Sequence, residues 1–138
     1  MFHTDKELND AINTLTPIPI EDLKVGDTVC HPFYPQYGWS SCYKYPIFYN
    51  FTIQRITPKR TKIITNHGEY TNKDEFYHPC DVTQFSTKIA KAFEYCKTNG
   101  DIVDLNLIRK LNPQELLDVQ THLQAIQNIT APYLQNKK

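Results

Sequence analysis

Residues 46–70 read PIFYNFTIQRITPKRTKIITNHGEY, and the rest of the chain is organised around them. Tyr49, Phe51 and Ile53 alternate with Asn50, Thr52 and Gln54, the period of two that marks a half-buried strand. Thr57-Pro58-Lys59-Arg60 supplies a turn, because proline presets φ for the second turn position. A second β-branched run covers Thr61 to Thr65, and Asn66-His67-Gly68-Glu69 closes it with a glycine free to take positive φ. Between Ile53 and Ile56 the apolar parity shifts from odd to even, which predicts a bulge near residue 55.

The 138 residues suffice for one domain, and 40% hydrophobic with 22% charged content is ordinary for a folded protein. No run of 18 apolar residues occurs, and the charged start Met1-Phe2-His3-Thr4-Asp5-Lys6-Glu7 lacks the apolar centre of a secretory signal. The expectation is a cytoplasmic chain, no membrane, and four reduced cysteines.

The net charge is zero but unevenly spread. No acid lies between Asp27 and Glu69, and Lys44, Arg55, Lys59, Arg60 and Lys62 give that span +5. Residues 1–27 carry −4 and residues 69–138 carry −1. The same basic span holds Phe33, Tyr34, Tyr37, Trp39, Tyr43, Tyr45, Phe48, Tyr49 and Phe51. Cations interleaved with aromatics suit phosphates and bases, and equally suit the core and rim of a small barrel.

Along the chain, Leu8, Ala11, Ile12 and Leu15 have helical spacing, and Pro17 and Pro19 end that helix. A first strand opens at Thr28. Residues 30–46 contain three prolines, one glycine and, counting His31, seven aromatic rings. They read as a long irregular loop whose aromatics either meet a partner or fold inward. Ser86 is read as the cap of a helix over residues 87–97, with Ile89, Phe93 and Cys96 on one face. Asp104 caps a short helix carrying Leu107, Ile108 and Leu111. Asn112-Pro113-Gln114-Glu115 starts the last helix as a capping box with proline at the first helical position. Leu116, Val119, Leu123 and Ile126 line one face of it, and Pro132 is expected to stop it after about Ile129.

Val25-Gly26-Asp27-Thr28-Val29 resembles the opening of many Src-homology-3-like small barrels. The string from Arg55 to Thr65, followed by Gly68 and Phe76-Tyr77, is similar to short proteins of bacteriophages and other mobile elements. The resemblance spans roughly residues 23–77; it implies a small barrel in a phage or plasmid setting, and no active site.

Cys30, Cys42, His78 and Cys80 are the candidate metal ligands, with Cys30-His31 adjacent. They lack the tight C-x₂₋₄-C knuckle of a zinc site, and neighbouring strand residues point to opposite faces. A nucleophilic pair could be assembled from Cys42 or Cys80 with one of five histidines, which any chain with four cysteines and five histidines offers. No catalytic or phosphate-loop signature occurs, and the four glycines do not cluster. Hence no enzyme, cofactor or metal is expected.

The expected fold is α+β: a small bent antiparallel barrel or sheet over residues 28–77, helices over 86–130, and a short N-terminal helix, all in one domain. The expected activity is non-enzymatic binding of nucleic acid by a monomer or homodimer. Arg55, Lys59, Arg60 and Lys62 would meet phosphates, and Tyr37, Trp39, Tyr43 and Tyr45 would stack on bases. The alternative is a protein-interaction module, such as a phage-encoded inhibitor of a host nucleic-acid-handling or defence protein, since tryptophan and tyrosine also anchor protein interfaces.

Overall fold

A computed structural model describes residues 2–37, 41–100 and 102–135, with the side chains of 37, 41, 134 and 135 outside the description. The central element is a ten-residue strand, β4 (Ile47–Ile56). It pairs on one side with β1 (Thr28–Phe33) and on the other with β5 (Lys62–Thr65), which pairs in turn with β6 (Gly68–Thr71). All pairings are antiparallel, giving an open four-stranded sheet in the order β1-β4-β5-β6 that curls into a half-barrel. A two-stranded ribbon, β2 (Gln36–Tyr37) with β3 (Ser41–Cys42), lies within the segment expected to be irregular.

The hairpin forms as its alternation predicts, and the register shifts between Ile53 and Arg55, the place of the expected bulge. Arg60 takes φ +56 at the turn, and Gly68 takes φ +132 beside the Asn66-His67 turn that joins β5 to β6.

Helices fill the rest: α1 (Asp5–Asn13), α2 (Asp81–Thr98), α3 (Leu105–Ile108) and α4 (Pro113–Gln135). Three caps are short polar side chains. Thr4 Oγ1 accepts from Glu7 N, Asp104 Oδ1 accepts from Asn106 N (2.8 Å), and Asn112 exchanges bonds with Glu115.

Two helix boundaries differ from the sequence-based expectation. α2 begins at Asp81, more than a turn before Ser86, and Cys80 N–H donates to the Thr83 hydroxyl at 2.9 Å. Ser86 is fully buried mid-helix instead, because its hydroxyl has a carbonyl to satisfy on the sheet. α4 runs through Pro132 to Gln135. So near the end of an exposed helix the missing proline N–H leaves only the Asn128 carbonyl to water. No described helix is long and apolar enough to cross a membrane.

Two hydrophobic clusters share β4. Ile47 belongs to the helical cluster with Leu8, Ile89, Phe93, Leu116 and Leu123. Phe51 and Ile53 belong to the sheet cluster with Leu23, Val29, Ile63 and Phe76. Ile53 N–H donates to Asp27 O (3.0 Å), so β4's odd residues exchange ladder bonds with β1 and its even residues face the other edge. Pro32 is opposite Phe48, a position where the ladder needs no N–H.

The even residues of β4 need partners that β5 is too short to supply. Thr52 N–H and C=O are taken by Asn66. Phe48 N–H donates to Thr87 Oγ1 (2.9 Å), and the same hydroxyl donates back to Phe48 O (3.1 Å). Ser86 Oγ donates to Pro46 O at 2.5 Å. Hydroxyls of α2 thus replace a strand neighbour. Thr87→Val keeps the shape and orphans both Phe48 groups, so it should lower the unfolding free energy by about 2–3 kcal/mol. Thr87→Ser should cost under about 1 kcal/mol. Urea denaturation with an unchanged m-value checks both.

Candidate functional site

β1 and β4 place His31 opposite Tyr49, Phe33 opposite Ile47, and Val29 opposite Phe51. The two-residue period puts all six on one face. Val29, Ile47 and Phe51 are buried by their core clusters. Tyr49 and Phe33 lie on that face where neither cluster covers it and are 50% and 53% exposed. Tyr70 of β6 closes the far side, stacked flat on Phe51 with ring centroids 5.1 Å apart. His31 sits 5.3 Å from Tyr70 and 5.9 Å from Phe76, and its Nδ1 is held 2.7 Å from Glu75 O. Phe33 and Tyr49 are 6.3 Å apart. The result is a groove of about 380 Å³ lined by His31, Pro32, Phe33, Tyr49, Phe51 and Tyr70. Exposed rings in one concave surface are what a binding site offers and an ordinary surface does not.

Of the aromatics expected to contact a partner, two are core residues. Tyr43 (2% exposed) stacks on Phe93 of α2 at 4.1 Å, and Tyr45 (0%) meets Tyr43 edge-on. Tyr45 Oη donates to Asp5 Oδ1 (2.7 Å), and Lys44 Nζ donates to Asp5 Oδ2 (2.5 Å). This pins α1 to the segment after β3. Burial, then the nearby Asp5 carboxylate, pushes both phenols well above the ordinary tyrosine range. The loop aromatics fold inward here because helices α1 and α2 offer apolar faces beside them. Tyr37 falls in β2 with its side chain outside the description, and Trp39 lies outside the described residues.

The four cations do not form one patch. Arg60 is half-buried, and its Nη1 donates to Ile20 O (3.0 Å) and Leu23 O (2.8 Å), carbonyls at a 3₁₀ turn over Ile20–Asp22. That ties the hairpin tip to the segment before β1. Lys62 Nζ lies 3.4 Å from Glu69 on the neighbouring strand. Arg55 and Lys59 stay exposed. Arg55 lies six residues from Tyr49, about 20 Å along an extended strand, and Lys62, though next to the register partner of Tyr70, is on the opposite face of its strand.

Among the described residues the candidate ligands do not gather at one point. Cys30 is buried with its thiol bonded to Tyr77 O, Cys42 is exposed on β3, Cys80 precedes α2, and His78 is exposed. Among the described residues no three His, Cys, Asp or Glu side chains are placed to hold a metal ion.

The sequence carried one signal for the groove that composition alone concealed. His31 and Phe33 alternate around Pro32 as Tyr49 and Phe51 alternate around Asn50, so two strands each present an aromatic face.

Arg60→Ala should lower stability by about 1–3 kcal/mol through loss of two carbonyl bonds. Lys59→Ala should stay within about 0.5 kcal/mol. Thermal unfolding separates them. Burial pushes the Cys30 thiol up from 9.0 to about 11. The unfolded thiol therefore loses its proton first, and stability falls as pH rises from 9.0 to about 11. Urea midpoints across that window should show the decline, and Cys30→Ala should make it shallower, leaving the part that the raised Cys96 thiol and the raised Tyr43, Tyr45 and Tyr77 phenols contribute.

No family model, curated protein or solved structure matches this chain, so its function is argued from these residues and their geometry alone.

Proposed function

We propose that this is a non-enzymatic binding protein that captures an extended apolar segment of another protein in the groove between β1, β4 and β6. One observation carries the reading: Phe33, Tyr49, His31 and Tyr70 form a half-exposed aromatic concavity that, among the described residues, no lysine or arginine lines. A phosphate backbone needs cations beside the rings. An apolar peptide needs only the rings, and large rigid aromatics are the side chains that dominate protein interfaces. The concavity sits on paired strands, so it is preorganised and little ordering entropy opposes binding.

Nucleic acid is the second reading, and Arg55 and Lys59 favour it because both are exposed beside the hairpin turn. The two readings separate cleanly. Peptides selected from a random display library against the protein should shift amide resonances of His31, Tyr49 and Tyr70. Tyr49→Ala should weaken them about tenfold or more while leaving stability nearly unchanged, with little response to salt. Failure to select any peptide that maps to these residues would remove the reading. Micromolar, steeply salt-dependent oligonucleotide binding that is lost in Arg55→Glu with Lys59→Glu would move the function to nucleic acid.

A further inference from the structure

A second hollow lies across Pro32 from the aromatic groove. It encloses about 370 Å³ between the end of α1 and the outer side of β1, and its lining includes Leu15, Pro32, Tyr34, Phe48, Tyr77 and Glu75. Pro32 lines both hollows from the edge strand β1, where it is the ridge between the two faces of the sheet on which they open.

Its chemistry differs from that of the groove. The walls are again aromatic: Tyr34 is 49% exposed, and Phe48 meets Tyr77 at a right angle with centroids 6.0 Å apart. Beside them is a carboxylate. Tyr77 Oη donates to Glu75 Oε2 at 2.6 Å, which orients the carboxylate and occupies one of its oxygens. Burial, then this bond to Glu75, pushes the Tyr77 phenol up to about 12, so it stays a donor at neutral pH. The backbone under both residues is fixed. Tyr77 exchanges two main-chain bonds with Cys30, each 2.9 Å, and Glu75 O is held by His31. No lysine or arginine lines the hollow, and none pairs with Glu75 among the described residues.

An exposed carboxylate oriented beside ring faces is the complement of a cation. The carboxylate supplies charge-assisted hydrogen bonding, and the rings supply cation–π attraction and cover for an alkyl stem. The span from Thr28 to Gly68, which provides most of the groove and Pro32, Tyr34, Pro46 and Phe48 of this hollow, contains no acid of its own. Glu75 supplies the negative charge from outside that span.

We propose that this hollow receives an arginine or lysine side chain of the partner protein. The proposal rests on the protein-binding reading above, and it adds that the captured segment carries a cation next to its apolar residues, seated across the Pro32 ridge.

The probes are N-acetyl-arginine amide, N-acetyl-norleucine amide and N-acetyl-tryptophan amide, titrated into the full chain at about pH 8, above the ordinary imidazole range. Amide resonances report each site. The arginine probe should shift Tyr34, Glu75 and Tyr77 with about millimolar affinity, and the norleucine probe should not. Glu75→Gln, which still accepts from Tyr77, should weaken the arginine probe about tenfold. Tyr34→Leu should weaken it about threefold. Arginine binding that is absent there, or unchanged in Glu75→Gln, or matched by norleucine, overturns the proposal. The tryptophan probe reports the groove separately through Tyr49 and Tyr70. Its failure beside a positive arginine result removes the groove reading and leaves the cation site standing.

Discussion

The main chain of Phe48 is satisfied by one hydroxyl, that of Thr87, and much of the architecture follows from that exchange. A ten-residue strand flanked by a four-residue neighbour leaves part of its edge unpaired. Water or another strand would otherwise take those groups, and an open edge invites association with other chains. Here α2 is laid against the edge so that Ser86 and Thr87 replace the absent ladder. Docking the helix there also seals Ile47 into a cluster with Ile89 and Phe93. β4 therefore belongs to two cores, and the sheet and the helices are held as one unit by a single strand.

That arrangement decides which aromatics remain outside. The helices cover the segment after β3 and take Tyr43 and Tyr45 with it. The sheet core covers Phe51 and Val29. Between the two clusters the face of β1 and β4 is left uncovered, and Phe33 and Tyr49 occupy it. The groove is thus the gap between two hydrophobic cores rather than a loop projecting from one.

The charge distribution is reorganised in the same way. Five cations without an acid between them read as one basic surface. In the folded chain Lys44 turns to Asp5, Lys62 to Glu69, and Arg60 to two carbonyls near the 3₁₀ turn. The acids come from α1 and β6, outside the basic span. Sequence-local charge is a sum over neighbours along the chain, whereas electrostatic potential depends on neighbours in space.

Features that depend on a few consecutive residues are legible along the chain. The alternation in Tyr49, Phe51 and Ile53, the parity change before Arg55, the Asp104 cap and the Asn112–Glu115 box all appear where local stereochemistry places them. The α+β class follows from those elements. The start of α2 was misplaced because Ser86 has the chemistry of a cap, yet its hydroxyl is needed 40 residues away at Pro46. Tyr43 and Tyr45 were misassigned for a similar reason, since an aromatic in an irregular segment is equally suited to a core or to a partner. Only the tertiary structure decided between those fates. It did so because burial depends on which apolar face arrives beside a ring, and no stretch of sequence records that arrival.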